Sequence, residues 1–431
     1  MLKAVSRYGA RESPRASEVI EACRQRGELV QGPQIEKFEQ AFALRHGSGR
    51  AIAASYGRMA FYYILEALDL PAGSEIVFPA LTFWVVPEIA RVRGLTVVFA
   101  DVDPRTFVLD PESFERAITP RTRAVVPTHL FGLPCDMDAI NAIAARHGLV
   151  VIEDCAHALG AAFRGRPVGT FGRAAFFSFQ ALKPLNTYGG GMALVHDQAL
   201  AARVADLAAA EPWPAPASVS KRLLMGQWQC RFIRPDLFTW TLFPLLWAWS
   251  WTNSDSDIYV WESVRSLDSL PADYRERYSN VQAALGLEGL ACLDDWTRQA
   301  QANARLMSQQ LAGLEGISVP TAPADRTHVY YQYCLHVACD RGLLLNRALR
   351  SGVDLEMRHV DVCTRLPLFA ASRIEAPGAD GAAEAIQVPV YSGLSEAQVT
   401  RVAEVIRRLV PQLPLATSSP RPLGNPTPTA H

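Results

Sequence analysis

Lysine is nearly absent from this chain of 431 residues: of 42 basic residues only four are lysines, at positions 3, 37, 183 and 221, and the rest are arginines. Each lysine is therefore conspicuous. A charge excess is also missing, since 42 basic residues face 43 acidic ones, and this balance excludes a general basic footprint for nucleic acid. The eight cysteines include no CxxC pair and no Cys/His group at zinc spacing, so a thiolate metal site is not expected and reduced, buried thiols are. No apolar run approaches the roughly 20 residues that span a bilayer. The opening MLKAVSRYGARESPR has no apolar core of a secretory signal, which makes the cytoplasm the expected compartment.

What is present is enough apolar material, 49% of residues, for more than one core, because single cores rarely grow past about 300 residues. Four regions follow from the pattern: a large α/β domain over 1–211, a tryptophan-rich insertion over 212–262, a smaller α+β domain over 263–416, and a proline-rich tail over 417–431 expected to be disordered. In the first region, short runs apolar on both faces, EIVF, TVVF, RAVVP, LVVIE, AAFFSF and GMALV, alternate with segments of helical period at 57–68, 85–93, 136–147 and 197–209. That alternation predicts a mostly parallel mixed sheet flanked by helices, with ligands beyond the carboxyl ends of the strands. Further on, helices are expected at 279–290, 293–313, 342–351 and 395–409, with a strand within 330–338.

Seven of the nine tryptophans lie between 213 and 261, around LFTWTLFPLLWAWSW at 237–251. At 15 residues with an internal proline, this stretch is too short to cross a bilayer alone. The plain expectation is an insertion packed on the protein or at a subunit interface. The sharper one is a peripheral contact with the inner face of the membrane, because tryptophan favours that interface and Lys221, Arg222, Arg231 and Arg234 precede the run.

The chemistry concentrates in 152–195. Asp154 closes the run LVVIED, and Lys183 follows the next run into the glycine turn Gly189-Gly190-Gly191. Adjacent parallel strands would open both residues onto one crevice. A carboxylate and an amine placed there suit pyridoxal phosphate, with the lysine as Schiff base and the carboxylate keeping the pyridine nitrogen protonated. The plain alternatives are a helix cap and a solvated lysine.

These stretches, with GELVQGPQIEKFEQAFA (27–43), PALTFWVVPEIA (79–90), the segment 98–140, VQAALGLEGLACLD (281–294) and VPVYSGLSEAQVTRV (388–402), resemble the DegT/DnrJ/EryC1/StrS family of pyridoxal-phosphate-dependent sugar aminotransferases. The resemblance implies the aspartate-aminotransferase fold (fold type I), an amino-acid donor, usually L-glutamate, a keto-sugar acceptor carried on a nucleotide, and a homodimer with a shared active site. Carried over by position, it makes Lys183 the catalytic lysine, Asp154 the partner of the pyridine nitrogen, and His157 the neighbour of the phenolic oxygen. Phe83 becomes the aromatic stacked on the ring, ahead of its neighbour Trp84, and Ser178 the phosphate-contacting hydroxyl. A dehydratase branch of the family has histidine at the lysine position and is disfavoured here by Lys183.

The phosphate cup departs from the family pattern. Where the family reads Ser-Gly-Thr-Ala, this chain has Tyr56-Gly57-Arg58-Met59. The backbone N–H groups at Arg58 and Met59 are expected to survive as donors beside Gly57, but the threonine hydroxyl is lost. Arg58 either replaces it with a charged fork or points outward. The family asparagine that reaches the partner's phosphate falls on Arg275, or on Asp273 with a two-residue gap; Arg275 is preferred because a carboxylate would repel the phosphate. Gly189 replaces a common acid, and Pro184 a common asparagine. The alternative function is a non-catalytic or regulatory relative that keeps the fold without turnover.

Overall fold

The computed structural model describes residues 3–252, 263–357 and 360–416. Trp261 and the tail at 417–431 lie outside the described residues, as does the end of the insertion.

Seven strands form the central sheet: β1 (Arg50–Ala54), β2 (Glu75–Pro79), β3 (Thr96–Ala100), β4 (Thr122–Val125), β5 (Val150–Asp154), β6 (Ala174–Ser178) and β7 (Gly191–Val195). Their order across the sheet is β1-β7-β6-β5-β4-β2-β3, and only β7 runs against the others. Every residue of β2 and of β7 is buried, as expected for strands covered on both faces. Six strands lie where the apolar runs predict them. β1 was not anticipated: its sequence RAIAA is too small and too short to stand out from a helical segment.

Helix α1 (Gly57–Leu68) follows β1 directly and packs its apolar faces onto the sheet through Met59, Phe61, Ile64 and Leu65, all buried. The helix at Met137–His147 begins where Asp136 accepts the N–H of Ala139, an N-cap of the usual kind.

Where two helices were expected at 279–290 and 293–313, one continuous helix of 32 residues runs over Asn280–Leu311. Its first half buries Ala283 and Leu293 with Phe38 and Phe177 of the large domain. Its second half buries Ala304, Met307 and Leu311 in the core of the small domain. Asp294 and Asp295 do not break it, because aspartate lowers helix propensity only mildly when it faces solvent. The small domain adds a four-stranded sheet that includes Tyr333–Val337. Its last helix, Glu396–Leu409, opens on a capping box between Ser395 and Gln398.

The tryptophan-rich segment forms α2 (Pro216–Ile233) and α3 (Phe243–Thr252). α3 docks on the small-domain helix Arg341–Arg350, where Leu246 is buried with Phe238, Leu349 and Ala4. There the Arg350 guanidinium lies 4.1 Å above the Trp251 ring. Trp240, Leu245, Trp249 and Trp251 remain exposed. Among the described residues no helix is long and apolar enough to cross a membrane.

Candidate active site

β5 and β6 are parallel neighbours, with Asp154 in register with Phe176, so their carboxyl ends open on the same side. Asp154 is the last residue of β5. Its main chain is pinned by bonds from its N–H to the Pro127 carbonyl (2.9 Å) and from the His129 N–H to its own carbonyl (3.0 Å). The side chain is 3% exposed and accepts the N–H of Ala156 at 3.0 Å. Burial raises its pKa to about 6, against the opposing pull of the Ala156 N–H and of the Lys183 charge.

Lys183 sits past the end of β6 in a turn closed by its own N–H on the Gln180 carbonyl (2.9 Å). Its Nζ lies 5.1 Å above the Tyr331 ring. Burial lowers its pKa to about 8, with the Arg58 charge acting in the same direction and Asp154 opposing. Tyr331 also lies against His157, ring centres 4.4 Å apart, and the His157 Nδ1 accepts the Phe131 N–H at 3.4 Å. One tyrosine from the small domain thus touches both the lysine and the histidine that the sequence singled out.

Arg58 settles one open question of orientation: it turns inward. It is 8% exposed, its Nη1 donates to the Tyr274 hydroxyl at 2.5 Å, and its guanidinium carbon lies 5.8 Å from the centre of the Phe83 ring. Trp84, by contrast, is buried in the hydrophobic core beside α1.

The start of α1 meets the ends of β6 and β7 at van der Waals limits. A Cβ at Gly57 would lie 2.8 Å from the Phe177 carbonyl and 3.0 Å from the Ser178 Cβ, and one at Gly191 only 2.3 Å from the Gly57 nitrogen. Only glycine fits at these positions. Tyr56, the N-cap, is extended and no side chain caps the helix, so this N-terminus with the adjacent Ser178 retains the character of an anion cradle. The Met59 N–H instead closes the first turn on the Tyr56 carbonyl at 3.1 Å, because helical geometry at Gly57 and Arg58 already brings that carbonyl into range, and the Met59 side chain is fully buried.

Arg275 is not part of this cluster within the chain. Its Nε donates to Glu211 at 3.1 Å on the surface, while its neighbour Tyr274 faces Arg58. Tyr331 and Tyr274 escaped the sequence reading; the aromatic-rich YYQY and DYRERY stretches were their only signal.

Beneath the site, His129, Glu153 and Cys155 place potential ligand atoms within 4.8 Å of one another. Glu153 is already committed, accepting N–H bonds from Gly169, Phe171 and Gly172 at 2.7 to 2.8 Å and facing His129 Nε2 at 3.0 Å. The Cys135 N–H on Nδ1 at 3.0 Å makes that nitrogen an acceptor and leaves the proton on Nε2. The group is a buried hydrogen-bonded post that fixes the strand ends. Its side chains are too engaged to serve as metal ligands.

The family model of the DegT/DnrJ/EryC1/StrS aminotransferase family matches residues 11–210 and 256–407, passing over most of the tryptophan-rich segment. The chain is 31% identical over 389 residues to GDP-perosamine synthase of Caulobacter vibrioides, covering 88% of this chain and 91% of that protein. It is 29% identical over 412 residues to the spore coat polysaccharide biosynthesis protein SpsC of Bacillus subtilis, covering 93% and 95%. Its fold matches the crystal structure of the aminotransferase TlmJ from Streptoalloteichus hindustanus with a TM-score of 0.76 at 26% identity, covering 94% of this chain and 98% of that one. With an acid and a lysine on adjacent strand ends in this fold, the chain belongs to the DegT/DnrJ/EryC1/StrS aminotransferase family, whose sugar aminotransferases are pyridoxal-phosphate-dependent transaminases.

Proposed function

We propose that this transaminase moves the amino group of L-glutamate to the carbonyl of a nucleotide-linked keto-sugar. The observation that carries the reading is a buried carboxylate, Asp154, at the end of one strand and a lysine amine, Lys183, just past the end of its parallel neighbour and facing the Tyr331 ring, with burial lowering the amine's pKa. Pyridoxal phosphate, when bound, supplies the aldehyde that accepts amines and the ring that withdraws electrons. The residues present fit it: Lys183 would hold the aldehyde carbon, Asp154 the pyridine nitrogen, His157 the phenolic oxygen and Phe83 the ring face. The turn Gly57-Arg58-Met59 with Ser178 would hold the phosphate, and Arg275 is assigned to the phosphate of the partner in a homodimer.

In turnover, the Lys183 Nζ acts as the base that takes a proton from the substrate carbon and returns it on the far side of the exchange. A pKa near the working pH suits both directions. Asp154 favours a protonated nitrogen opposite it and so preserves the ring as an electron sink. Tyr331 shields the amine from water on the side facing the small domain.

The test is the visible spectrum of the purified holoenzyme before and after L-glutamate, beside Lys183→Ala. An absorbance band that bleaches with glutamate and is altered or absent in the variant is the expected result. A band that glutamate leaves untouched would overturn the choice of donor, and a protein that stays colourless with added cofactor would overturn the reading as a whole.

We also propose that the enzyme works at the cytoplasmic face of a membrane. Lys221, Leu224, Met225, Trp228 and Arg231 recur at helical spacing along α2 and are all exposed, an apolar stripe with cations at both ends that suits an anionic lipid surface.

A further inference from the structure

The insertion reaches toward the active site from α2. α2 lies across the glycine turn: a Cβ on Gly226 would fall 2.4 Å from the Tyr188 ring, so the helix and the turn are in direct contact. From this helix Arg222 extends over Gly189, with its Cδ 3.3 Å from where a Cβ on Gly189 would stand. Its guanidinium carbon lies 5.8 Å from the centre of the Tyr56 ring, and that of Arg58 lies 5.6 Å from the same ring. Tyr56 is the residue that precedes the anion cradle of α1. Lys221, one position earlier, is exposed, whereas the Arg222 side chain is 19% exposed and its Nη2 meets Glu276 Oε2 at 3.3 Å.

We infer that Arg222 forms an anion subsite for the phosphates of the acceptor, so that the insertion sets which acceptors bind. Two guanidiniums flanking one ring repel each other, and Glu276 and Asp273, the acids that act on the Tyr56 hydroxyl beside them, offset that repulsion when no anion is present. The contact to Glu276 engages one of the five N–H donors of the guanidinium. The donors that remain form a planar fork, which matches a phosphate better than the point charge of a lysine would. Arg58 points inward to Phe83, where the cofactor belongs. Arg222 sits further out, against a turn residue with no side chain, at a place suited to a group far from the reacting carbonyl. A side chain on Gly189 would fill the space that Arg222 uses.

This inference rests on the proposed sugar-nucleotide reading and deepens it. The experiment measures binding of GDP, UDP, dTDP and inorganic pyrophosphate to the holoenzyme by calorimetry, together with the rate at which glutamate bleaches the cofactor. For at least one nucleoside diphosphate, Arg222→Gln is expected to weaken binding about tenfold or more, the worth of one charge-assisted fork. Glu276→Gln, which removes the competing carboxylate, is expected to tighten it severalfold. The glutamate rate is expected to stay within about twofold in both variants. Equal affinities in Arg222→Gln and the parent, or no nucleoside diphosphate binding at all, would overturn the inference. So would a loss confined to the glutamate step, which would make Arg222 a donor-carboxylate residue. Failure of glutamate to bleach the parent enzyme would count against the proposed reaction, and the binding measurement reads out independently of it.

Discussion

Titration of Lys183 in cofactor-free protein tests the electrostatics of the site most directly. The amine is moved from an ordinary 10.5 to about 8, which corresponds to about 3 kcal/mol of disfavour toward the charged form. At pH 8 about half of the population would then be free amine, against about one molecule in 300 for an ordinary lysine. The scarcity of lysine makes the measurement clean: reductive methylation with carbon-13 labels Lys3, Lys37, Lys183, Lys221 and the terminus, and the signal absent from Lys183→Met identifies the active-site amine. The two neighbouring charges give opposite signs. Arg58→Met removes a repulsive cation, so the pKa should rise toward the ordinary value; Asp154→Asn removes the attractive carboxylate, so it should fall further. The unfolded chain holds this proton up to about 10.5 and the folded chain only up to about 8. The stability of the cofactor-free protein should therefore climb between those pH values, with the full cost present below 8. A Lys183 signal that titrates at the ordinary lysine value, or a shift of the same sign in both variants, would refute the reasoning.

Three further outcomes are expected. Asp154 pays a desolvation cost, its pKa raised from 3.8 to about 6, so Asp154→Asn should stabilise the cofactor-free protein at pH 7 to 8 by up to about 3 kcal/mol in urea melts while cofactor retention is lost. A Cβ at Gly191 would stand 2.3 Å from the Gly57 nitrogen; Gly191→Ala should cost about 1–3 kcal/mol by overpacking and loosen cofactor binding, read by melting and by dialysis against buffer. If Arg275 serves the partner's phosphate, mixing Lys183→Ala with Arg275→Ala subunits should regenerate one intact site per mixed dimer, and activity no higher than that of either parent variant would rule out the shared site.

The parallel strands, the acid and the lysine were legible because each leaves a local mark: a short apolar run on both faces, a charged residue closing it, glycines where the backbone must turn. Phe83, His157 and Ser178 became legible only through likeness to a family, since an aromatic, a histidine or a serine in such a run is more often plain packing. Arg58 shows the limit of both routes. Its position was legible, but its direction was decided by Tyr274, which lies 216 residues away in sequence and donates no local pattern. Tyr331 escaped for the same reason: a tyrosine in YYQY reads as half of an alternating strand, and what brings it over Lys183 is the packing of one domain on the other, with the unusual positive φ of Tyr330 (47°) just before it. Distance along the chain therefore separates the two kinds of site residue. Those set by strand ends could be read from neighbouring residues, whereas those set by packing between distant segments could not: Tyr331 lies over the Lys183 amine, Tyr274 holds Arg58, and Arg222 lies further out over Gly189. Substitutions in the first kind should abolish cofactor attachment outright, whereas substitutions in the second should leave the cofactor in place and move the pH dependence or the acceptor preference.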